Sequence, residues 1–457
     1  EMNFLTKLIK TRVSTTRTRA QDNVYQTAGN RAPLYLAKNS RGGPVVFTEE
    51  GSLLTVGPPG TGKSRGVVVW NLQAYPGSLM VTDPKGELTR WTAQHRAEHL
   101  AQRIAVLDPF HISGVRSDSV NLLSSLVRAV SQEQGFRSEA ERIGRLLLPD
   151  LTEIKDPYWR NGARTLIVSS ALFLAAFRPD QCHLPGLHTV LWLNEHQFLE
   201  SVLGAMRNSD ALNGALRQYG ENVIELVKNQ KKQFGIFREE ARTALAIFAP
   251  DEPCGLASRT GTIDLAELID GNTTVYICLP PHMVASHGRW MGLITAQATH
   301  GIMAANSAGD CVFMLDEFPN LGPLPVVLEA VAQLRSKGLR VWAFIQDIAQ
   351  LQNVYGVKGA EALLNQAQVL QVLGCQSDQL ARYIEHRAGT FTNKAVNYNL
   401  PSPLDPTAVP TRSVHEIAAS VLPAGRVLNL PAGQQILLRR NFPTMIGFTE
   451  IWRGPHL

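Results

Sequence analysis

The sequence predicts an α/β fold, a mainly parallel sheet covered by helices, with an all-α domain inserted into it. Three observations carry this expectation. Short aliphatic and β-branched runs alternate with helical stretches near both ends of the chain. Between residues 131 and 258 the alternation stops, and apolar residues recur at three- and four-residue spacing with few strand signals. A glycine-rich segment at 57–64 separates an apolar strand pattern from a helical one. Continuous apolar runs of strand length suit a parallel sheet, because helices on both faces leave neither face to water. At about 150 residues per domain, the 457 residues suffice for two or three domains.

Taken in order, residues 1–45 read as a basic N-terminal arm, with Lys7, Lys10, Arg12, Arg17 and Arg19 in its first half. Such an arm suits nucleic acid or an anionic membrane surface, although a solvated, frayed terminus is the commoner outcome. Residues 46–130 and 259–457 carry the α/β pattern. Its strand candidates are "SLLTVG" (52–57), "GSLMVTD" (77–83) and "RIAVLD" (103–108), then "TTVYICLP" (273–280), "DCVFMLDE" (310–317) and "LRVWAFIQ" (339–346). "AQVLQVLG" (367–374) and "QQILLRR" (434–440) continue it. Residues 131–258 form the inserted all-α domain. The most apolar run, Thr165 to Phe177, has 13 residues. That is short of the roughly 20 that span a bilayer as a helix, so it reads as a buried helix. The N-terminus lacks the apolar stretch of a secretory signal.

Hydrophobic residues make up 44% of the chain and charged residues 18%, a balance that builds a core and excludes a disordered tail protein. Glycine and proline follow no period and no heptad persists, which excludes collagen-like and coiled-coil architectures. The 44 basic against 39 acidic residues leave +5, an excess that permits a polyanionic partner without indicating one. The five cysteines, Cys182, Cys254, Cys278, Cys311 and Cys375, are odd in number and form no CxxC pair. Buried thiols in a reducing compartment are expected, rather than a zinc site or a disulfide framework.

The decisive motif is Gly57-Pro58-Pro59-Gly60-Thr61-Gly62-Lys63-Ser64, which satisfies GxxxxGK[ST] in the required strand–loop–helix context. Glycines let backbone N–H groups turn inward around phosphate oxygens. In this role Lys63 sets an ammonium against the β- and γ-phosphates of a nucleotide, and Ser64 ligates Mg²⁺. A P-loop also needs an acid at the end of a neighbouring strand. Asp83 and the pair Asp316-Glu317 compete for that place. The pair supplies both parts, Asp316 for the metal and Glu317 as general base toward the attacking water, whereas Pro84 follows Asp83. Gln346, at the end of the next strand candidate, is placed to sense the γ-phosphate. Arg335, on a helix before that strand, is a candidate arginine finger; a surface arginine is its bland alternative.

Together these residues resemble the type IV secretion coupling proteins, the DNA-translocating ATPases of bacterial conjugation. The resemblance rests on the P-loop, "TDPKGEL" (82–88), "LDPF" (107–110) with Asn121 beyond it, and "DPYWRNGARTLI" (156–167). "LDEFPNLG" (315–322), "LRSKGLRVWAFIQDIAQLQNVYG" (334–356) and the closing "PAGQQILLRRNFP" complete it, across roughly residues 50–450. The resemblance implies a RecA-like P-loop NTPase domain with an inserted all-α domain, assembled as a homo-hexamer. It implies ATP hydrolysis with Mg²⁺ and movement of single-stranded DNA, or of relaxase or effector proteins, into the type IV secretion machinery. The implied location is the cytoplasmic face of the bacterial inner membrane. It also carries Gln346 and Arg335 over as motor residues, with Arg340 an alternative finger. The sequence departs from the family pattern by showing no N-terminal membrane segment, and by Asp347 where a small residue is usual.

Two questions stay open on the residues alone. Lys228 to Arg238, "KNQKKQFGIFR", mixes basic side chains with Phe234 and Phe237, as single-strand binding requires. The competing reading, which is favoured, has the phenylalanines in the core and the lysines solvated. The second question is whether the chain is an active pump or a substrate-docking receptor in which nucleotide binding mainly drives assembly. Intact Lys63, Ser64, Asp316 and Glu317 favour the pump.

Overall fold

The structure, a computed structural model, describes residues 30–149, 158–229, 231–305, 309–333, 337–399 and 411–454. The five basic residues singled out in the N-terminal arm lie outside the described residues, as does Arg335. The chain divides into two compact units, residues 1–75 with 342–457, and residues 76–341. Strands β1 (Leu34–Lys38), β2 (Pro44–Phe47) and β3 (Leu53–Val56) open the first unit. The second holds β4 (Ser78–Asp83), β5 (Arg103–Leu107), β6 (Thr273–Cys278) and β7 (Cys311–Leu315). The next strand, β8 (Leu339–Ile345), starts in the second unit and ends in the first. The first unit then continues with β9 (Val369–Val372), β10 (Thr390–Asn399), β11 (Thr411–Ser420), β12 (Gln434–Arg439) and β13 (Met445–Phe448).

In the first unit β3 lies between β8 and β9 and parallel to both, with Val56 opposite Ile345 and Val372. From β9 outward the pairing turns antiparallel through β12, β13, β1 and β2. In the second unit β4 is flanked by β6 and β7, with β5 beyond β6, all parallel. Every residue of β3, β4, β6, β7 and β8 is buried, which is why these strands read as unbroken apolar runs. The edge strand β2 alternates half-buried and buried residues instead. Three antiparallel features escaped the sequence pattern: the β1–β2 pair, which lies almost wholly within residues 1–45, the β10–β11 pair, and β13 beside β12.

A buried polar network ties the first unit's strands in register. Trp342 Nε1 donates to Thr55 Oγ1 at 2.8 Å, and Thr55 Oγ1 donates to Gln371 Oε1 at 2.7 Å. Gln371 Nε2 in turn donates to Leu36 O and to Gln435 Oε1. Four polar side chains thus satisfy one another where an unpaired amide would be costly. Beside this network, helix α1 (Val69–Ala74) holds β1: the buried Asn71 exchanges hydrogen bonds with the backbone N–H and carbonyl of Tyr35.

In the second unit α2 (Glu87–Leu100) follows β4, and helices α3 (Phe136–Leu147), α4 (Tyr158–Phe177), α5 (Ala215–Asn229) and α6 (Lys231–Leu245) fill the helix-rich span. The apolar run from Thr165 lies inside α4, whose residues 166–175 are all buried. Among the described residues no helix is long and apolar enough to cross a membrane. Helix α7 (Val284–Ala304) and helix α8 (Pro325–Gln333) flank β7 in the chain. All five cysteines are buried thiols without disulfides, and burial pushes Cys182 and Cys254 up to about 12, so they serve as small packing residues.

Candidate nucleotide-binding site

The P-loop leaves the end of β3. Gly57 N–H donates to Ile345 O at 3.0 Å, so the β3–β8 ladder continues one step into the loop. Gly60 and Gly62 then take φ of +83° and +90°, a region that side chains with a Cβ avoid. Thr61 closes the turn, its N–H and Oγ1 both donating to Pro58 O. The buried Lys63 folds back into the ring, its Nζ 2.5 Å from Gly57 O and 3.4 Å from Pro58 O. Ser64 starts a π-helical turn, Ser64–Val68, that runs directly into α1. Two left-handed glycines and an ammonium inside a loop that leads into a helix N-terminus make a cradle fitted to an anion of phosphate type. The residues present therefore fit a nucleotide triphosphate.

Residues at the far end of the chain brace this helix, a contribution the sequence analysis missed. Trp452 N–H donates to Arg65 O at 2.9 Å, and Trp70 Nε1 donates to Glu450 O at 2.7 Å. A Cβ on Gly66 would meet Thr449 Cγ2 at 2.3 Å, so the strap at 449–452 lies directly on the P-loop helix. An isolated glycine inside a helical pattern was the one available signal.

Gln346 emerges beside the P-loop, because Val56 and Ile345 are paired and each is the last residue of its strand. Asp347, the departure from the family pattern, caps the next helix, α9 (Ile348–Gln366): its Oδ1 accepts from Ile348 N–H at 2.6 Å.

In the second unit β7 ends at Leu315, and Asp316 and Glu317 follow. Thr82, one residue from the end of the paired strand β4, donates its hydroxyl to Asp316 O at 2.9 Å. Asp316 Oδ1 accepts from Glu317 N–H at 3.1 Å. Glu317 itself adopts φ 51°, ψ 44°, a left-handed conformation uncommon outside glycine, before a 3₁₀ turn over Phe318–Leu321. Asp83, the competing acid, is committed elsewhere. Its Oδ2 accepts from Thr89 N–H and Thr89 Oγ1, both at 2.8 Å, inside the first turn of α2. Burial pushes its carboxyl above the usual range although those hydrogen bonds pull the other way. Arg340, the alternative finger, is 1% exposed on β8, with Nη2 3.9 Å from Asp310 Oδ1.

For residues 228–238 the structure agrees with the favoured reading, phenylalanines in the core and lysines solvated, and leaves no single-strand platform there. Phe234 and Phe237 are each 1% exposed, and Arg238 is buried against the rings of Phe198 and Phe234 and donates to Leu191 O and Leu193 O. The aromatic faces belong to the core of the α6 packing, and Lys231 and Lys232 form a solvated face.

Parallel strands around a strand–glycine loop–helix unit define a RecA-like P-loop fold. The chain belongs to the family described as Type IV secretory system Conjugative DNA transfer, whose model matches residues 6–452. It is 23% identical over 325 residues to conjugal transfer protein TraG of Escherichia coli, covering 66% of this chain and 49% of that protein. It is likewise 23% identical over 367 residues to VirD4 of Agrobacterium fabrum (strain C58 / ATCC 33970), covering 76% and 51%. The chain thus spans about half the length of these curated relatives. Among solved structures it is similar to plasmid coupling protein TrwB in complex with ADP and Mg²⁺, with a TM-score of 0.69 at 16% identity, covering 95% of this chain and 92% of that one.

Proposed function

We propose that this chain is the ATP-driven motor part of a conjugative coupling protein, one that recruits single-stranded DNA or relaxase and effector proteins and pumps them into a type IV secretion channel. The observation that carries the proposal is the P-loop cradle, with Lys63 folded into a glycine loop at the head of α1 and Gln346 emerging beside it. The solved complex of TrwB with ADP and Mg²⁺ supports the choice of ligand. In this proposal residues 57–64 bind the phosphates, Ser64 and Asp316 hold Mg²⁺, and Glu317 accepts the proton of the attacking water. Bound Mg²⁺ supplies charge neutralisation on the phosphate oxygens. Gln346 orients the water or senses the γ-phosphate, and Arg335 adds positive charge from a neighbouring copy in a homo-hexamer. Residues 46–130 and 259–457 form the motor, and residues 131–258 the helical domain that selects substrate, at the cytoplasmic face of the inner membrane.

A second reading, a substrate-docking receptor in which nucleotide mainly drives assembly, gains from one observation: the aromatic residues once available for base stacking are core. Glu317→Gln separates the two. As a motor the variant keeps ATP binding and loses about 10²–10⁴-fold in turnover. Turnover close to that of the parent protein overturns the general-base assignment.

A further inference from the structure

The second unit contains an open cavity of about 880 Å³ between α3, α7 and the segment 320–326 that follows the acidic pair. Among the described residues its charged lining is unbalanced: Arg142, Arg145, Arg160 and Arg289 against Glu141 and Glu329. Arg142 is paired, donating twice to Glu139 at 2.6 and 2.8 Å. Arg289 is not. Its Nη1 donates to Ala244 O at 3.3 Å, while Nη2 is buried with no hydrogen-bond partner among the described residues. Burial and the neighbouring Arg160 charge lower its guanidinium to about 10, although Glu240 pulls the other way. Arg160 donates through Nη1 to Pro149 O and has its Nε 3.8 Å from Glu240, which leaves Nη2 for an incoming carboxylate. A buried guanidinium with an unmet N–H is a costly group, and a carboxylate meets two of its donors at once. His300 adds no charge at neutral pH, since burial holds it down at about 4.

The rest of the lining is mostly aliphatic, including Leu146, Leu293, Leu321, Leu324 and Val326, with Ser138 and Asn320 as polar members. Among the described residues no Phe, Tyr or Trp side chain lines the cavity, so a nucleobase finds no face there to stack on. We propose that this cavity binds an acidic, aliphatic segment of polypeptide, with a carboxylate on Arg289 and Arg160 and an aliphatic side chain on Leu293 and Leu324. This goes beyond the motor reading and does not depend on hydrolysis. Because Asn320 and Leu321 line the cavity three and four residues after Glu317, an occupant touches the segment that carries the acids.

The test is fluorescence anisotropy of the full chain with a labelled octapeptide of alternating leucine and glutamate, against its leucine–glutamine counterpart. Saturable binding of the acidic peptide is expected, at least tenfold tighter than the neutral one. Arg289→Met should weaken it by a further tenfold or more. Arg145→Glu and Ala285→Trp, at exposed lining positions that spare the core, should each weaken it at least threefold. The proposal is overturned by equal binding of the two peptides, by no saturable binding, or by parent-like affinity in all three variants. It is also overturned if single-stranded oligonucleotide displaces the label better than unlabelled acidic peptide does, which assigns the cavity to nucleic acid.

Discussion

Single residues show how far local chemistry reaches in this chain. Asp347 breaks the family pattern after Gln346, yet its side chain does what an aspartate before a helix commonly does and caps α9. Asp83 and Asp316 both end strand candidates, and only the structure shows that Asp83 spends its carboxylate on Thr89. His300 yields a pH prediction. Its ordinary value is 6.5, and burial, with Arg142 adding to it, lowers it to about 4 in the fold. Protonation therefore favours the unfolded chain. The stability held by neutral His300 is complete above pH 6.5 and is lost as pH falls towards 4. In urea denaturation at pH 7 and pH 4.5, His300→Gln should lose less stability on acidification than the parent protein. Equal losses would contradict that source.

At the scale of elements, close approach decides more than propensity. Two glycines one turn apart on α7 let it lie against the turn that follows Glu317. A Cβ on Gly288 would meet Asn320 O, and one on Gly292 would meet Leu321 O, each at 2.4 Å. Gly288→Ala must push that backbone aside and shift the carboxylate before it. Misplacement of about 1 Å costs on the order of 10²-fold in rate. Turnover should fall by tenfold or more with nucleotide affinity unchanged, measured by steady-state hydrolysis and by equilibrium binding; unchanged turnover would show that the turn adapts. The register network makes a separate prediction. Gln371→Leu strands Thr55 and Gln435 and should cost about 1–3 kcal/mol in urea denaturation. These elements were unevenly legible. Strands β3 to β9 announced themselves because both faces are covered, whereas β1, β2 and β13 lie at or near an antiparallel margin in which β1 joins β13 some 400 positions away. The strap at 449–452 left no periodic trace for the same reason: its contacts with Arg65 and Trp70 are set by tertiary packing alone.

For the whole molecule, the P-loop was legible because a strand–glycine loop–helix unit demands particular residue types at fixed spacing. The aromatic stretch at 228–238 was ambiguous because core and nucleic-acid platforms use the same side chains, and burial of Phe234 and Phe237 decided it. A motor of the proposed kind holds its polyanionic substrate through lysine and arginine contacts to phosphate, which carry no base sequence and weaken steeply with salt. The central claim is that nucleotide turnover at the P-loop is coupled to such a substrate. The most direct measurement is Mg²⁺-dependent ATP hydrolysis by the full chain, with and without single-stranded DNA, across protein concentrations that allow rings to form. The account predicts turnover that rises with protein concentration, increases further with DNA of any sequence at low salt, and disappears in Lys63→Ala. Turnover that survives Lys63→Ala, or an assembled ring that ignores DNA at every salt concentration, would contradict it.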